Sequence, residues 1–200
     1  MRDNTIANPP LTYRLATPSD APHLAALINT VFRSEPTGQT WLFSDQDRRL
    51  DIVSTDLVTS FITSPDSVVL TGTLQTTDPP VSISCCYLRA PSTPPDPHIS
   101  EGAAWLGLLS VSLRHHKQGY GLAMLRAAEE FVKEEWAARR LEFDVVSSRV
   151  GLRAWYGRCG YEGTGARREF RYGERGREVL AEGLELVVMG RELEGGVRKG

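Results

Sequence analysis

The sequence predicts an α/β fold of the α+β layer type, with a single central mixed sheet of about seven strands flanked by helices. Three observations predict it. Segments with strand and helix character follow one another in the order β-α-α-β-β-β-α-β-α-β-β, a pattern that buries its apolar faces by laying helices on one sheet. Two continuous apolar runs, 103–113 and 141–146, read as strands buried on both faces, and the strongest amphipathic helix lies between them. The length, 200 residues with 40% hydrophobic and 24% charged side chains, is enough for one packed core without a disulfide or metal staple. A single domain spanning 1–200 is therefore expected.

Residues 11–15 read as a short strand. Thr17, Pro18, Ser19, Asp20, Ala21 and Pro22 then supply a turn, a Ser19 or Asp20 N-cap and a proline in the first helical turn. Leu24, Leu27, Ile28, Val31 and Phe32 continue at helical spacing. A loop over 38–43 carries Trp41 and Phe43. Ser44 with Asp47 three positions on looks like a second helix start, and Leu50, Val53, Leu57 and Phe61 extend its apolar stripe to about Thr63. Pro65 and Asp66 end it. The β-rich runs 67–74 and 81–88, separated by a polar turn with Pro79 and Pro80, form an antiparallel pair. A proline-rich loop over 90–97 leads into the buried strand 103–113. The amphipathic helix over 119–139 turns Leu122, Leu125, Ala128, Val132 and Trp136 inward. After the strand 141–146, residues 150–158 form a short helix ended by Gly160, and 170–172 and 184–189 close the sheet.

Composition narrows the function. A net charge of −2 and a pI near 6.1 argue against nucleic-acid binding, which usually raises a domain's pI above ~9. No stretch of 18 apolar residues is present and the first 15 residues lack an apolar signal core, so no membrane partner and a cytoplasmic location are expected. Cys85, Cys86 and Cys159 show no metal-ligand spacing; they read as reduced, buried thiols, and no metal is expected. All 12 prolines lie between Pro9 and Pro97, whereas 16 of the 18 glycines lie from Gly102 onward, which divides stiff loops from close-approach backbone within one fold.

The segment from Leu109 to Leu125 carries the chemistry. A buried strand runs into a basic loop holding Arg114, His115, His116 and Lys117, then Gly119, Tyr120 and Gly121, then the amphipathic helix. Glycines let a backbone approach a ligand, and first-turn amides with the helix dipole bind phosphate oxygens. A dinucleotide fingerprint would need a third glycine where Met124 stands, and no P-loop pattern is present.

This segment resembles motif A of the GNAT superfamily of acyl-CoA-dependent N-acyltransferases. His116, Lys117, Gln118, Gly119, Tyr120 and Gly121 occupy its pyrophosphate loop, preceded by Leu109, Ser110 and Val111. Residues 152–162, with Trp155, Tyr156, Gly160 and Tyr161, are similar to motif B. The resemblance covers about 103–162. His116 stands where Arg or Gln is usual, Leu113 where many members have Pro, Arg149 where many have Asn, and Leu152 where many have Ala.

The resemblance implies splayed fourth and fifth strands with acetyl-CoA as co-substrate between them. It implies that the amides of 116–121 hold pyrophosphate, that Leu109 and Val111 pair with pantetheine, and that a backbone N–H faces the oxyanion. It makes Tyr156 the general acid to the departing thiolate and a small-molecule primary amine the acceptor, attacking directly in a ternary complex. For a general base, Glu101 at the mouth of the fourth strand is the candidate; His98 reads as a solvated loop residue, and a water chain could serve instead. On the acceptor side, Trp41 and Phe43 could form an apolar wall, and the plain reading of Asp45, Asp47 and Asp51 is a solvated helix start. The charged run 167–177 reads as a solvated hairpin. A homodimer is compatible with this reading. The competing readings are a catalytically weak acyl-CoA-binding sensor of the same fold and a protein or peptide N-acetyltransferase.

Overall fold

A computed structural model describes residues 10–33, 52–75, 80–169 and 183–193. The chain runs through β1 (Leu11–Leu15), α1 (Ala21–Arg33), α2 (Thr55–Thr63), β2 (Ser67–Leu74), β3 (Val81–Arg89), β4 (Ala103–Val111), α3 (Tyr120–Trp136), β5 (Arg140–Val146), α4 (Val150–Arg158), β6 (Glu162–Glu169) and β7 (Glu185–Glu192). This is the element order expected from the sequence. The strands form one seven-stranded sheet in the order β1-β2-β3-β4-β5-β7-β6.

Every neighbouring pair is antiparallel except β4 and β5, which run parallel. That pair meets only where Ala103, Ala104 and Trp105 lie beside Arg140, Leu141 and Glu142. Beyond it, β4 stays with β3 as far as Val111 and β5 stays with β7 as far as Val146. Each strand keeps its outer neighbour and loses its inner one, so a wedge opens in the middle of the sheet.

The two faces have separate cores. On one, α3 and α4 bury Met124, Leu125, Val132, Tyr156 and Cys159 against Leu106, Leu141 and Phe143. On the other, Leu24, Ile28 and Val58 of α1 and α2 cover Val69 and Cys85. Adjacent Cys85 and Cys86 thus point into opposite cores. Both are free thiols, and burial pushes Cys85 up to about 12, which fits small core residues rather than reactive ones.

Local differences from the sequence expectation have physical causes. The second helix begins at Thr55, capped by Ser54 Oγ, which accepts from the Leu57 N–H at 3.1 Å. Just before it, Asn29 of α1 takes over the backbone: its Oδ1 accepts from the Ile52 and Val53 N–H groups at 2.7 and 3.1 Å, and its Nδ2 donates to Val53 O at 2.9 Å. Backbone groups spent on a buried amide do not join a helical ladder. The start expected at Ser44, and Trp41, Phe43, Asp45, Asp47 and Asp51, lie outside the described residues. In α3 the inward face holds Met124, Leu125, Ala128 and Val132, whereas Leu122 is 40% exposed. That helix stops at Trp136 because Ala137 turns left-handed (φ 50°) and Ala138 N–H donates back to Val132 O at 3.1 Å. The sixth strand runs over Glu162–Glu169, where burial alternates without an apolar run; 170–172 lie outside the described residues.

The entry to α1 is a 3₁₀ turn, Pro18–Asp20, closed by a capping box between Thr17 and Asp20. Asp20 accepts from both terminal nitrogens of Arg14 at 2.8 Å and from Thr17 N–H at 2.7 Å. The Arg14 guanidinium, with the Thr17 bonds, holds its carboxyl well below the usual carboxylate range. Asp20→Ala is expected to cost about 1 kcal/mol at neutral pH, the ordinary loss for a cap. Because the folded pKa is depressed, the contribution is complete above the ordinary value of 3.8 and fades as pH falls below it. Thermal melts of the two proteins at pH 7 and pH 2.5 would show the Tm gap narrowing in acid.

Candidate active site

The wedge is shaped by a break in β4. Leu108 sits at φ 54°, and the register against β3 shifts between Cys85 and Tyr87, opposite that residue. A leucine in the left-handed region is strained and persists only where packing enforces it, which is common at ligand sites. The inner edges of β4 after Trp105 and of β5 after Glu142 lack a strand partner from each other. Buried backbone N–H and C=O groups require partners, so the wedge suits an extended, amide-bearing ligand that can supply them.

At the wide end of the wedge, β4 passes through Leu113–His115, a 3₁₀ turn, into α3. His116 Nε2 lies 2.8 Å from Val111 O; since a carbonyl only accepts, this nitrogen carries the proton. Gln118 Nε2 donates to Arg114 O at 3.0 Å. Both side chains fold back on the loop and shape it. Lys117 (φ 60°) and Gly119 (φ 84°) are left-handed. Gly119 is the N-cap of α3 and has no side chain to cap it, at a helix start whose dipole favours an anion. A Cβ at Gly119 would meet no atom within 4 Å. Tyr120 anchors the turn through its buried ring, packed with Leu74, Ile83 and Val111. Gly121 faces α4, its missing Cβ lying 3.5 Å from the Trp155 ring. Leu109 packs on the α3 side of the sheet. The predicted loop residues 116–121, Leu109 and Val111 are thus brought to one end of β4.

Tyr156 lies on the α3 side of the wedge. Its ring stacks at 4.2 Å from Phe143, the first β5 residue beyond the parallel pair, and contacts Trp155 and Tyr161 at 4.8 and 6.1 Å. Its hydroxyl has no hydrogen-bond partner among the described residues. Burial pushes the phenol far above its ordinary value, so it stays protonated and able to donate.

Glu101 is placed elsewhere. It is exposed in the turn before β4, at the opposite end of that strand from the glycine loop. The neighbouring carboxylate that does face inward is Glu142, fully buried, which accepts from Arg140 Nε and the Ser100 N–H, both at 2.9 Å. The Ser100 bond fastens the loop before β4 to β5.

The α1 side of the wedge carries a group that sequence reasoning missed. A cavity of about 230 Å³ is lined by Tyr87, Arg89, Asp96, His98, Trp105 and Arg168. Arg168 binds Asp144 of β5 at 2.5 Å and lies over the Trp105 ring, 5.7 Å from its centroid. Arg89 binds Asp96 at 2.5 Å. Burial raises the Asp144 carboxyl above its ordinary value, against the opposing pull of Arg168. His98 belongs to this cavity wall and is half-buried, not a solvated loop side chain. A signal was present: Glu142 and Asp144 alternate along 141–146, which puts acidic groups on one face of a strand that its apolar content alone marks as buried on both. A larger cavity of about 360 Å³ beside α1, lined by residues such as Ala25, Asn29 and Val53, offers no titratable side chain among the described residues.

Sheet, wedge and loop together define an acyltransferase fold. Residues 28–161, more than half of the chain, match the acetyltransferase (GNAT) family, and the chain belongs to that family. Solved structures agree in fold. The Escherichia coli ribosomal-protein-S18-alanine N-acetyltransferase aligns with a TM-score of 0.62 at 13% identity, covering 95% of this chain and 98% of that one. Arabidopsis thaliana NAA60, in complex with a bisubstrate analogue, gives 0.66 at 12% identity over 93% and 99%. A Vibrio cholerae and human spermidine N-acetyltransferase chimera gives 0.61 at 13% over 92% and 95%. No curated protein sequence matches the chain.

Proposed function

We propose that the protein is an acetyl-CoA-dependent N-acetyltransferase that transfers the acetyl group to the primary amine of a small molecule by direct attack in a ternary complex. The observation that carries this reading is the wedge: a parallel strand pair that ends after three residues, with an uncapped glycine helix start at its mouth and a neutral buried phenol on one flank. The cradle fits the co-substrate, since among the described residues a Cβ at Gly119 would meet no atom within 4 Å beyond its chain neighbours. The 116–121 loop and the α3 dipole would hold the pyrophosphate, and the β4 edge around Leu109 and Val111 would pair with pantetheine. An N–H at the Leu108 break is the candidate donor to the developing oxyanion.

When bound, the co-substrate supplies an activated acyl thioester. The amine, stripped of one proton, forms the C–N bond as the C–S bond breaks; Tyr156 on the α3 side gives its proton to the departing sulfur, and the second proton, shed by the nitrogen as it becomes an amide, returns through water to the Tyr156 oxygen. The ammonium proton leaves on the α1 side, where Asp144 and His98 stand beside the wedge, and then passes to water. Glu101 has no part in this arrangement.

Thermal shift tests the first half. Acetyl-CoA at 100 times its Kd should stabilise the protein by about 2.7 kcal/mol; no change in Tm at saturating ligand overturns the reading. Release of free thiol with an amine acceptor tests the second half. A Tm shift without thiol release over polyamines, arylamines, amino sugars and peptides would make the protein a binder rather than an enzyme.

A further inference from the structure

The cavity on the α1 side of the wedge is built for a particular charge pattern. Its wall joins three strands and one loop: Tyr87 and Arg89 of β3, Trp105 of β4, Arg168 of β6, and Asp96 and His98 of the loop before β4, with Asp144 of β5 just behind, bound to Arg168. Each guanidinium is matched by one carboxylate, Arg89 by Asp96 and Arg168 by Asp144, so apart from His98 the described wall is neutral. Each of these pairs is a single contact, Arg89 through Nη2 and Arg168 through Nη1. A guanidinium has five N–H donors, so donors remain on both arginines. The apolar part of the wall is Ile99 and two aromatics: Tyr87, whose ring meets Phe61 at 4.5 Å, and Trp105.

A polyamine would bring several positive charges against two guanidinium groups with no surplus of carboxylate to receive them. A strongly anionic acceptor would meet two carboxylates. A molecule with one ammonium and one carboxylate beside each other matches the Asp144–Arg168 pair charge for charge, with its apolar body on Trp105. Resting on the acetyltransferase reading above, we infer that this cavity is the acceptor subsite and that its acceptor is a free amino acid with an apolar or aromatic side chain. The ammonium sits at Asp144, on the side toward the wedge, and the carboxylate takes the remaining N–H groups of Arg168, a charge-assisted contact of the kind arginine forms best. A volume of about 230 Å³ suits a molecule of that size.

The test uses the full-length protein, saturating acetyl-CoA and thiol release as the readout. The acceptors are L-phenylalanine, L-tryptophan and L-leucine, their methyl esters, the corresponding decarboxylated amines, and spermidine. The esters keep the ammonium and the apolar body and remove only the negative charge. The expected result is a kcat/KM at least tenfold higher for a free acid than for its ester or decarboxylated amine, with spermidine poorest. In Arg168→Gln the KM for the free acid should rise tenfold or more and the acid-to-ester ratio should fall toward one. Equal rates on acid and ester, or a preference for spermidine, overturn the inference. A Tm shift with acetyl-CoA, measured on the same sample, separates the two levels. If that shift is absent, the acetyltransferase reading itself fails. If it is present and no free amino acid is acetylated, the amino-acid assignment alone is wrong.

Discussion

Gly119→Val is expected to abolish acetyl-CoA binding, read as loss of the ligand-induced Tm shift, while the protein still folds. Two separate effects act at this position. Gly119 has φ 84°, and an L-residue there costs roughly 1–2 kcal/mol, more for a β-branched side chain. That penalty lowers the Tm of the free protein or pulls the backbone out of the left-handed turn that starts α3. The second effect is steric. A Cβ at this point meets no protein atom within 4 Å, so the new side chain projects into the space a phosphate would occupy. A loss of at least 100-fold in affinity, about 2.7 kcal/mol, is the expected magnitude. Gly121→Ala is the contrast: its Cβ would rest at 3.5 and 3.7 Å from Trp155 carbons, ordinary packing distances, so its free Tm should stay near that of the parent. Unaltered acetyl-CoA binding by Gly119→Val would remove the glycine loop from the proposed site.

Legibility in the sequence followed the range of the interactions involved. Elements set by local chemistry could be read: the α3 stripe of Leu125, Ala128 and Val132, the proline-bearing turn into α1, and the glycine loop between a buried strand and a helix. Features set by pairing between distant segments could not. The wedge exists because β5 prefers β7 along its whole length while β4 stays with β3, and nothing local to residues 106–111 announces that. The strain at Leu108 is likewise a product of register; leucine carries no propensity for a left-handed backbone. Asn29 lay in an apolar helical stripe and gave no sign that it would hold Ile52 and Val53. The acceptor-side group was missed for a related reason. His98, Trp105 and Arg168 come from a proline-rich loop, an apolar strand and a charged run, and each had an adequate bland reading alone. Only the sheet order, with β5 between β4 and β7, brings Arg168 to Asp144 and both to Trp105. The glycine-rich half of the chain does contain the loop and the Tyr156 helix, but part of the acceptor wall, Tyr87, Arg89, Asp96 and His98, comes from the proline-rich half. Trp105, Asp144 and Arg168 of the same wall come from the glycine-rich half, so the composition divide does not separate the two sides of the wedge.

Tyr156→Phe should lower kcat by about 100-fold or more, the scale of a lost general acid, with KM for acetyl-CoA and the Tm little changed. The prediction separates the two jobs that a buried tyrosine can do. If Tyr156 were only a core aromatic, its stacking on Phe143 at 4.2 Å and against Trp155 and Tyr161 would survive in phenylalanine, and so would activity. What the substitution removes is one hydroxyl that has no described protein partner. No internal hydrogen bond is broken, so stability supplies no alternative explanation for a drop in rate. The pH dependence sharpens the test. Burial raises the phenol above its ordinary value of 10.0, so Tyr156 holds its proton across the working range and contributes no falling limb to the rate profile below pH 10. A limb seen below that pH must come from another group, and it should persist in whatever activity Tyr156→Phe retains. An acyl-thioester donor with a more basic leaving thiol should magnify the defect, since the proton matters more as the departing sulfur becomes more basic. A kcat within twofold of the parent would return Tyr156 to the core and leave the thiolate to depart without a proton donor.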